Sequence, residues 1–159
     1  MPVYNYFTID SQGIIIQDQT TLINAGPLIN VEISIPNALA TYNQQNSVPI
    51  PSAKSGYALI DTGCSFTSVD DSTVSSLGVK PVGLGKVGTA GGQRQVNLYP
   101  AHVKFPGTQI EIDYSSVLSA DLNGQNFKGT PIIALIGRDI LAQCVLVYNG
   151  ITGMYTFAH

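Results

Sequence analysis

Residues 58–66 read ALIDTGCSF, an apolar run that ends abruptly in Asp61, Thr62 and Gly63. Carboxylates are among the side chains least often buried without a partner, so an aspartate closing a hydrophobic run raises the question of what it faces. Alone, an Asp-x-Gly is an ordinary turn signal, because the short carboxylate hydrogen-bonds nearby backbone amides. Two further features coincide with it here. Leu59 and Ile60 lead straight into Asp61 and would hold its carboxylate at the rim of a core. Further on, residues 134–141 read ALIGRDIL: an apolar pair, then Gly137, then a short helix opening with Arg138. Between the two lies a glycine-rich hairpin candidate.

The surrounding chain is mainly β in pattern. Residues 27–36, PLINVEISIP, alternate with Ile29, Val31, Ile33 and Ile35 on one side and Asn30, Glu32 and Ser34 on the other, the period of a half-buried strand. Residues 57–60 and 132–136 are short unbroken apolar runs, as expected of strands buried on both faces. Residues 3–9, 14–16, 95–105, 109–114, 145–148 and 154–157 also read as extended. Only two segments read as helix: 71–77, with capping residues at its start and Gly78 where a C-cap would fall, and 138–143. Residues 38–55 (ALATYNQQNSVPIPSAKS) are polar and punctuated by proline, and are expected to form a surface loop. With 159 residues, no internal repeat and no linker, the chain is expected to be one domain, 1–159, with the strands of residues 1–26 not placed.

Composition narrows the function classes. Charged residues make up 11% of the chain and the net charge is −3, with seven scattered Lys and Arg, so no basic face recommends nucleic acid or an anionic membrane. No run approaches the ~18 apolar residues of a membrane span. The opening MPVYNYFTID lacks a basic region followed by an apolar one, so no signal peptide is expected. Two cysteines, Cys64 and Cys144, do not make a disulfide framework, and a soluble, cytoplasmic protein is the expectation.

Other motifs lead nowhere. GLGKVG, residues 83–88, has dinucleotide-turn spacing, but extended residues follow it where a helix should receive the pyrophosphate. His102 and His159 have no ligand neighbours at metal spacing, and no serine sits in a G-x-S-x-G elbow. Cys64 reads as a small, buried apolar residue rather than a nucleophile. No metal and no cofactor are implied.

The two outer motifs, in order, resemble the retropepsin-like aspartic proteases, the single-domain relatives of retroviral proteases. Residues 59–64 (LIDTGC) match that family's apolar-apolar-Asp-Thr-Gly-small signature, and Leu135-Ile136-Gly137-Arg138-Asp139 its apolar-apolar-Gly-Arg-Asp element; the likeness spans about residues 27–149. Gly88, Thr89, Ala90, Gly91, Gly92 and Gln93 fall where the family has its flap tip. The resemblance implies a closed, barrel-like acid-protease fold with one or two short helices and a glycine-rich flap hairpin. It implies an aspartic endopeptidase with Asp61, Thr62 and Gly63 as catalytic residues. Gly88, Thr89, Ala90, Gly91, Gly92, Leu135 and Ile136 would contact a peptide or protein substrate, and Gly137 and Arg138 would be structural. The chain departs from the pattern at Ser65, where retroviral members place an aspartate that pairs with the helix arginine; Arg138 is therefore expected to find another acceptor, a backbone carbonyl or Asp70.

Amide hydrolysis by this route needs two carboxylates around one water, one ionised and one protonated. A single Asp-Thr-Gly in a chain without repeats supplies half of that, so the expected partner of Asp61 is its own image in a homodimer. The alternative keeps Asp61 as a turn-capping residue in a catalytically inactive dimerisation or peptide-binding module of the same fold.

Overall fold

A computed structural model describes residues 2–9, 12, 14–16, 18–89 and 91–159. Thirteen strands and four helices follow one another as β1 (Val3–Tyr6), β2 (Thr8–Ile9), β3 (Ile15–Ile16), α1 (Gln19–Ala25), β4 (Leu28–Ser34), α2 (Asn37–Gln45), β5 (Lys54–Ile60), β6 (Ser68–Asp70), α3 (Asp71–Ser75), β7 (Gly83–Thr89), β8 (Gly92–Lys104), β9 (Glu111–Ala120), β10 (Asn126–Phe127), β11 (Thr130–Ile136), α4 (Arg138–Leu141), β12 (Val145–Asn149) and β13 (Met154–Ala158). The protein is mainly β.

The central sheet runs β10-β11-β5-β4-β8-β9-β6, with β7 paired to β8 and an additional pairing of β6 to β11. Three-residue β6 thus lies parallel to β9 on one side and antiparallel to β11 on the other. Its residues are all buried, which is why a stretch of Ser, Val and Asp with no apolar alternation gives no strand signal in the sequence. A smaller antiparallel sheet, β1-β13-β12, brings the two ends of the described chain together, and β2 pairs with β3.

In β4 the alternation is physical: Ile29, Val31 and Ile33 are essentially inaccessible, while Asn30 is exposed and Glu32 and Ser34 are half-buried. They pack with Val69, Val74, Val103, Phe105, Ala134, Ile136 and Phe157 in the main core. A second cluster, Leu28, Leu122 and Ile132, lies on the other side of the sheet. This explains why Leu28 and the run Ile132, Ile133 and Ala134 are apolar without alternation.

Among the described residues four helices stand where one or two were expected. α2 occupies the first half of the segment read as a loop, residues 38–55. Its Ala38, Leu39 and Ala40 are good helix formers, Pro36 closes its N-terminal end, and Asn46 donates back to Tyr42. No α2 residue is fully buried, so it lacks the apolar stripe that reveals a helix in sequence. α1 starts from Asp18, whose carboxylate accepts the Thr21 amide. The two expected helices are present as α3, capped by Asp70, and α4.

Candidate active site

β5 and β11 pair in parallel, with Ile60 opposite Ile136, so the segments that follow them leave the sheet at the same end. Parallel pairing therefore brings Asp61 beside Gly137. The Asp61 amide donates to the Ile136 carbonyl at 3.0 Å, and the Arg138 and Asp139 amides donate to the Cys64 and Ser65 carbonyls at 3.0 and 3.2 Å. The loop after Asp61 is thereby tied along its length to the start of α4.

Thr67 and Asp139 fasten the same junction from the side chains. One Asp139 oxygen accepts the Thr67 amide at 2.9 Å, the Thr67 hydroxyl at 2.8 Å and the Ile140 amide at 3.0 Å. The Thr67 Oγ1 in turn accepts the Gly137 amide at 3.1 Å. Gly137 has to be glycine: a Cβ there would lie 2.3 Å from the Phe66 carbonyl carbon and 2.6 Å from the Thr67 nitrogen, both backbone atoms.

Arg138 does not need the substitute acceptor expected for it. Its Nη2 donates to the Ser65 hydroxyl at 2.7 Å, so the serine takes up the contact at the departing position. Asp70 is fully engaged elsewhere. It accepts from the Ser72 and Thr73 hydroxyls and from the Thr73 and Leu122 amides. Burial pushes its carboxyl up, and these hydrogen bonds outweigh burial and hold it below the ordinary aspartate value.

Asp61 is partly exposed, and both of its oxygens are in use. Oδ1 accepts the Gly63 amide at 2.8 Å and Oδ2 accepts the Cys64 thiol at 3.0 Å. Cys64 is thus a donor to the carboxylate rather than a buried apolar filler. Burial, and then the hydrogen bond to Asp61 and its charge, push the thiol up to about 11, with Arg138 opposing weakly. Thr62 and Gly63 are exposed. A Cβ on Gly63 would sit 3.0 Å from Asp61 Oδ1, so glycine here leaves the carboxylate room to take its own loop amide.

Beside this loop lies a cleft of about 780 Å³. The residues from Gly63 to Phe66 form one part of its wall, Leu118 and Leu135 another, and the β7–β8 hairpin a third. Asp61 stands at the edge and is not itself part of the wall. Gly88 and Thr89 line the cleft near the hairpin tip, where the Thr89 hydroxyl donates to the Gly92 carbonyl at 2.8 Å. Gly92 has φ +108, a conformation that favours glycine. Gly91 and Gly92 are exposed and lie outside the cleft wall, and Ala90 falls outside the described residues. Leu135 faces the cleft, whereas Ile136 is fully buried in the main core.

Sequence reasoning did not single out Thr67, Asp139 as an acceptor, the exposed Phe66, or Arg94 on the hairpin. Thr67 and Asp139 are 72 residues apart, and no local pattern joins them. Among the described residues no group of His, Cys, Asp and Glu could hold a metal ion, and no helix is long and apolar enough to cross a membrane. No family model matches the chain, and no curated protein matches its sequence.

Proposed function

We propose that the protein is an aspartic endopeptidase of the retropepsin-like kind, with a water-activating pair of carboxylates completed by a second copy of the chain. The observation that carries this reading is the Asp61 loop. It presents a partly exposed carboxylate at the edge of a cleft overhung by a β-hairpin, and main-chain hydrogen bonds from the Gly137–Asp139 turn hold it in place. Positioning a catalytic group on a loop that cannot relax is what general acid–base chemistry requires.

In this reading, one Asp61 of the pair is ionised and draws a proton from the attacking water. The other is protonated and donates to the carbonyl oxygen of the scissile amide. Two carboxylates about 3 Å apart do not both ionise, so the pair shares one proton. The Gly63 amide and the Cys64 thiol, already on the two oxygens of Asp61, orient the carboxylate within its own chain. The substrate lies extended beneath the hairpin, as an added strand. Thr62, exposed beside Asp61, lies near the twofold axis, and the hairpin closes over the bound peptide and excludes water. Within this reading the paired β-strands form the barrel of the acid-protease fold.

One observation favours the noncatalytic alternative: both Asp61 oxygens are satisfied inside the chain, as turn capping alone would require. The two readings part on one experiment. Wild type and Asp61→Asn are compared for mass in solution and for cleavage of a mixed peptide library from about pH 3 to 7. Cleavage by a dimer, lost in a folded Asp61→Asn variant, supports the peptidase. Absence of cleavage by wild type across that range, with peptide binding unchanged in the variant, overturns it in favour of the binding module.

A further inference from the structure

Residues from both faces of the hairpin line the cleft: Val87, Arg94 and Val96 from one, Leu84, Lys86 and Gln95 from the other. A Cβ on Gly85 would meet Leu118 Cδ2 at 2.6 Å and Leu98 Cδ2 at 3.3 Å, and Leu118 belongs to the cleft wall. Gly85 therefore faces Leu98 and Leu118, although it is not itself part of the cleft wall. Strand alternation puts Val87 on the same side, in keeping with burial: Gly85 and Val87 are half-buried, whereas Leu84, Lys86 and Gly88 are exposed. Residues directly opposite in an antiparallel pair share a face. Gly85 pairs with Val96 and Val87 with Arg94, so Arg94 shares the Val87 face near the tip, and both line the cleft. Lys86, opposite Gln95, lies on the other face of the strand pair and also lines the cleft.

Arg94 lines the cleft without an ionic partner: among the described residues no carboxylate lies within 4.0 Å of it. The acids on the cleft wall are used locally. Asp70 caps α3 and holds Leu122, Asp71 accepts the Asn97 side-chain amide at 2.9 Å, and Asp121 accepts the Asn123 amide at 3.4 Å. The cleft wall also carries the apolar Val87, Val96, Leu118 and Leu135 and the polar Lys86 and Gln95. A guanidinium offers a fork of donors matched to a carboxylate.

We infer that Arg94 forms a carboxylate-binding subsite on the roof of the cleft. This rests on the reading of the cleft as a peptide site. An extended peptide alternates its side chains between roof and floor, so the favoured segment carries an acidic residue under Arg94 and apolar neighbours directed at Leu118 and Leu135. The carboxylate is that of an internal Asp or Glu, or the free end of the peptide.

The test separates these sources and separates the subsite from catalysis. Fluorescent peptides of one apolar frame carry a central Glu with an amidated end, a central Gln with an amidated end, or a central Gln with a free carboxylate. Binding is measured by anisotropy to the Asp61→Asn chain with Arg94 intact, with Arg94→Gln and with Arg94→Lys, and cleavage by the wild-type chain is followed in parallel. The Glu peptide is expected to bind about tenfold more tightly than its Gln match, as for one charge-assisted contact in a partly open site. Arg94→Gln should erase that gap and leave the neutral peptide's affinity unchanged. Arg94→Lys should keep part of it, since the charge stays and the fork is lost, and added salt should narrow it. A gain confined to the free-carboxylate peptide assigns the subsite to chain ends. Equal binding of all three peptides, an acid preference that survives Arg94→Gln, or no peptide binding at all overturns the subsite. Arg94-dependent binding without any cleavage by wild type leaves the subsite standing and removes the peptidase. Cleavage indifferent to both the acid and Arg94 does the reverse.

Discussion

Asp139→Ala is the substitution that most directly probes how the Asp61 loop is held. The side chain gives one oxygen to three donors, of which the Thr67 amide is the most demanding, because Thr67 is only 2% exposed. Without Asp139 that amide has no acceptor, and a buried unpaired donor costs about 1–3 kcal/mol. The Thr67 hydroxyl loses its acceptor as well but still receives the Gly137 amide, and the Ile140 amide keeps the Gly137 carbonyl at 3.2 Å. These secondary losses add about 1 kcal/mol, for a total of about 2–4 kcal/mol. In a chain of this size that lowers the melting temperature by about 5–15 °C. Urea unfolding followed by circular dichroism measures the loss. Asp139→Asn, which keeps an oxygen of the same reach, should retain more than half of the stability that alanine removes. A double-mutant cycle with Thr67→Val, which keeps the amide and removes the hydroxyl, isolates the hydroxyl contact and should show a coupling of at least about 0.5 kcal/mol. A loss below about 0.5 kcal/mol for Asp139→Ala would refute the reasoning, and strict additivity in the cycle would remove the hydroxyl contact from it.

Asp70 gives a pH signature. Its folded value lies below the ordinary 3.8, so it stabilises the fold fully above that value, and the contribution disappears as pH falls from there through the folded value. The difference in urea midpoint between wild type and Asp70→Asn should be flat above about pH 5 and shrink below it; a difference that stays constant in acid contradicts the assignment. Cys64 gives a reactivity signature. With its thiol pushed up to about 11, alkylation by iodoacetamide at mildly alkaline pH should run at least about tenfold slower than for a free model thiol. Asp61→Asn, which removes the neighbouring charge, should accelerate it. Peptide mass spectrometry at Cys64 reads both, and a wild-type rate equal to the model thiol would count against the Cys64–Asp61 contact.

Features that depend on local pattern are legible in the sequence. Ile29, Val31, Ile33 and Ile35 announce β4 because burial there follows the period of the strand, and Ile132, Ile133 and Ala134 announce a strand covered on both sides. The start of α3 is readable from its capping residues to within one position: the sequence pattern places them at the start of 71–77, and the cap is Asp70, which accepts the Thr73 amide. What failed to show was set by distant partners or by surface exposure. α2 carries no buried residue and so no stripe, and its flanking prolines and amides read as loop. β6 is a strand only because β9 and β11 receive it. Ser65 looked like a lost acceptor because a carboxylate was expected there, yet its hydroxyl lies within reach of Arg138. The mutual hold of Thr67, Gly137 and Asp139 is invisible without the parallel pairing that brings them together, although Gly137 was marked as structural. Which hairpin residues share a face is likewise written in the register of β7 against β8, not in the glycine-rich composition of its tip.

The parallel register of β5 and β11 also bears on when the site can exist. Among the described residues, the main-chain hydrogen bonds that steady the Asp61 loop from outside join it to residues 136–139, contributed by the far end of the chain. Closing so long a stretch is entropically costly, and non-local pairings of this kind form late. During synthesis the Asp61 segment emerges first and remains an ordinary turn until Asp139 has been added and β11 has docked. Timing is therefore built into the topology: a nascent or truncated chain carries the aspartate without the geometry, and the loop becomes rigid only as the sheet is completed.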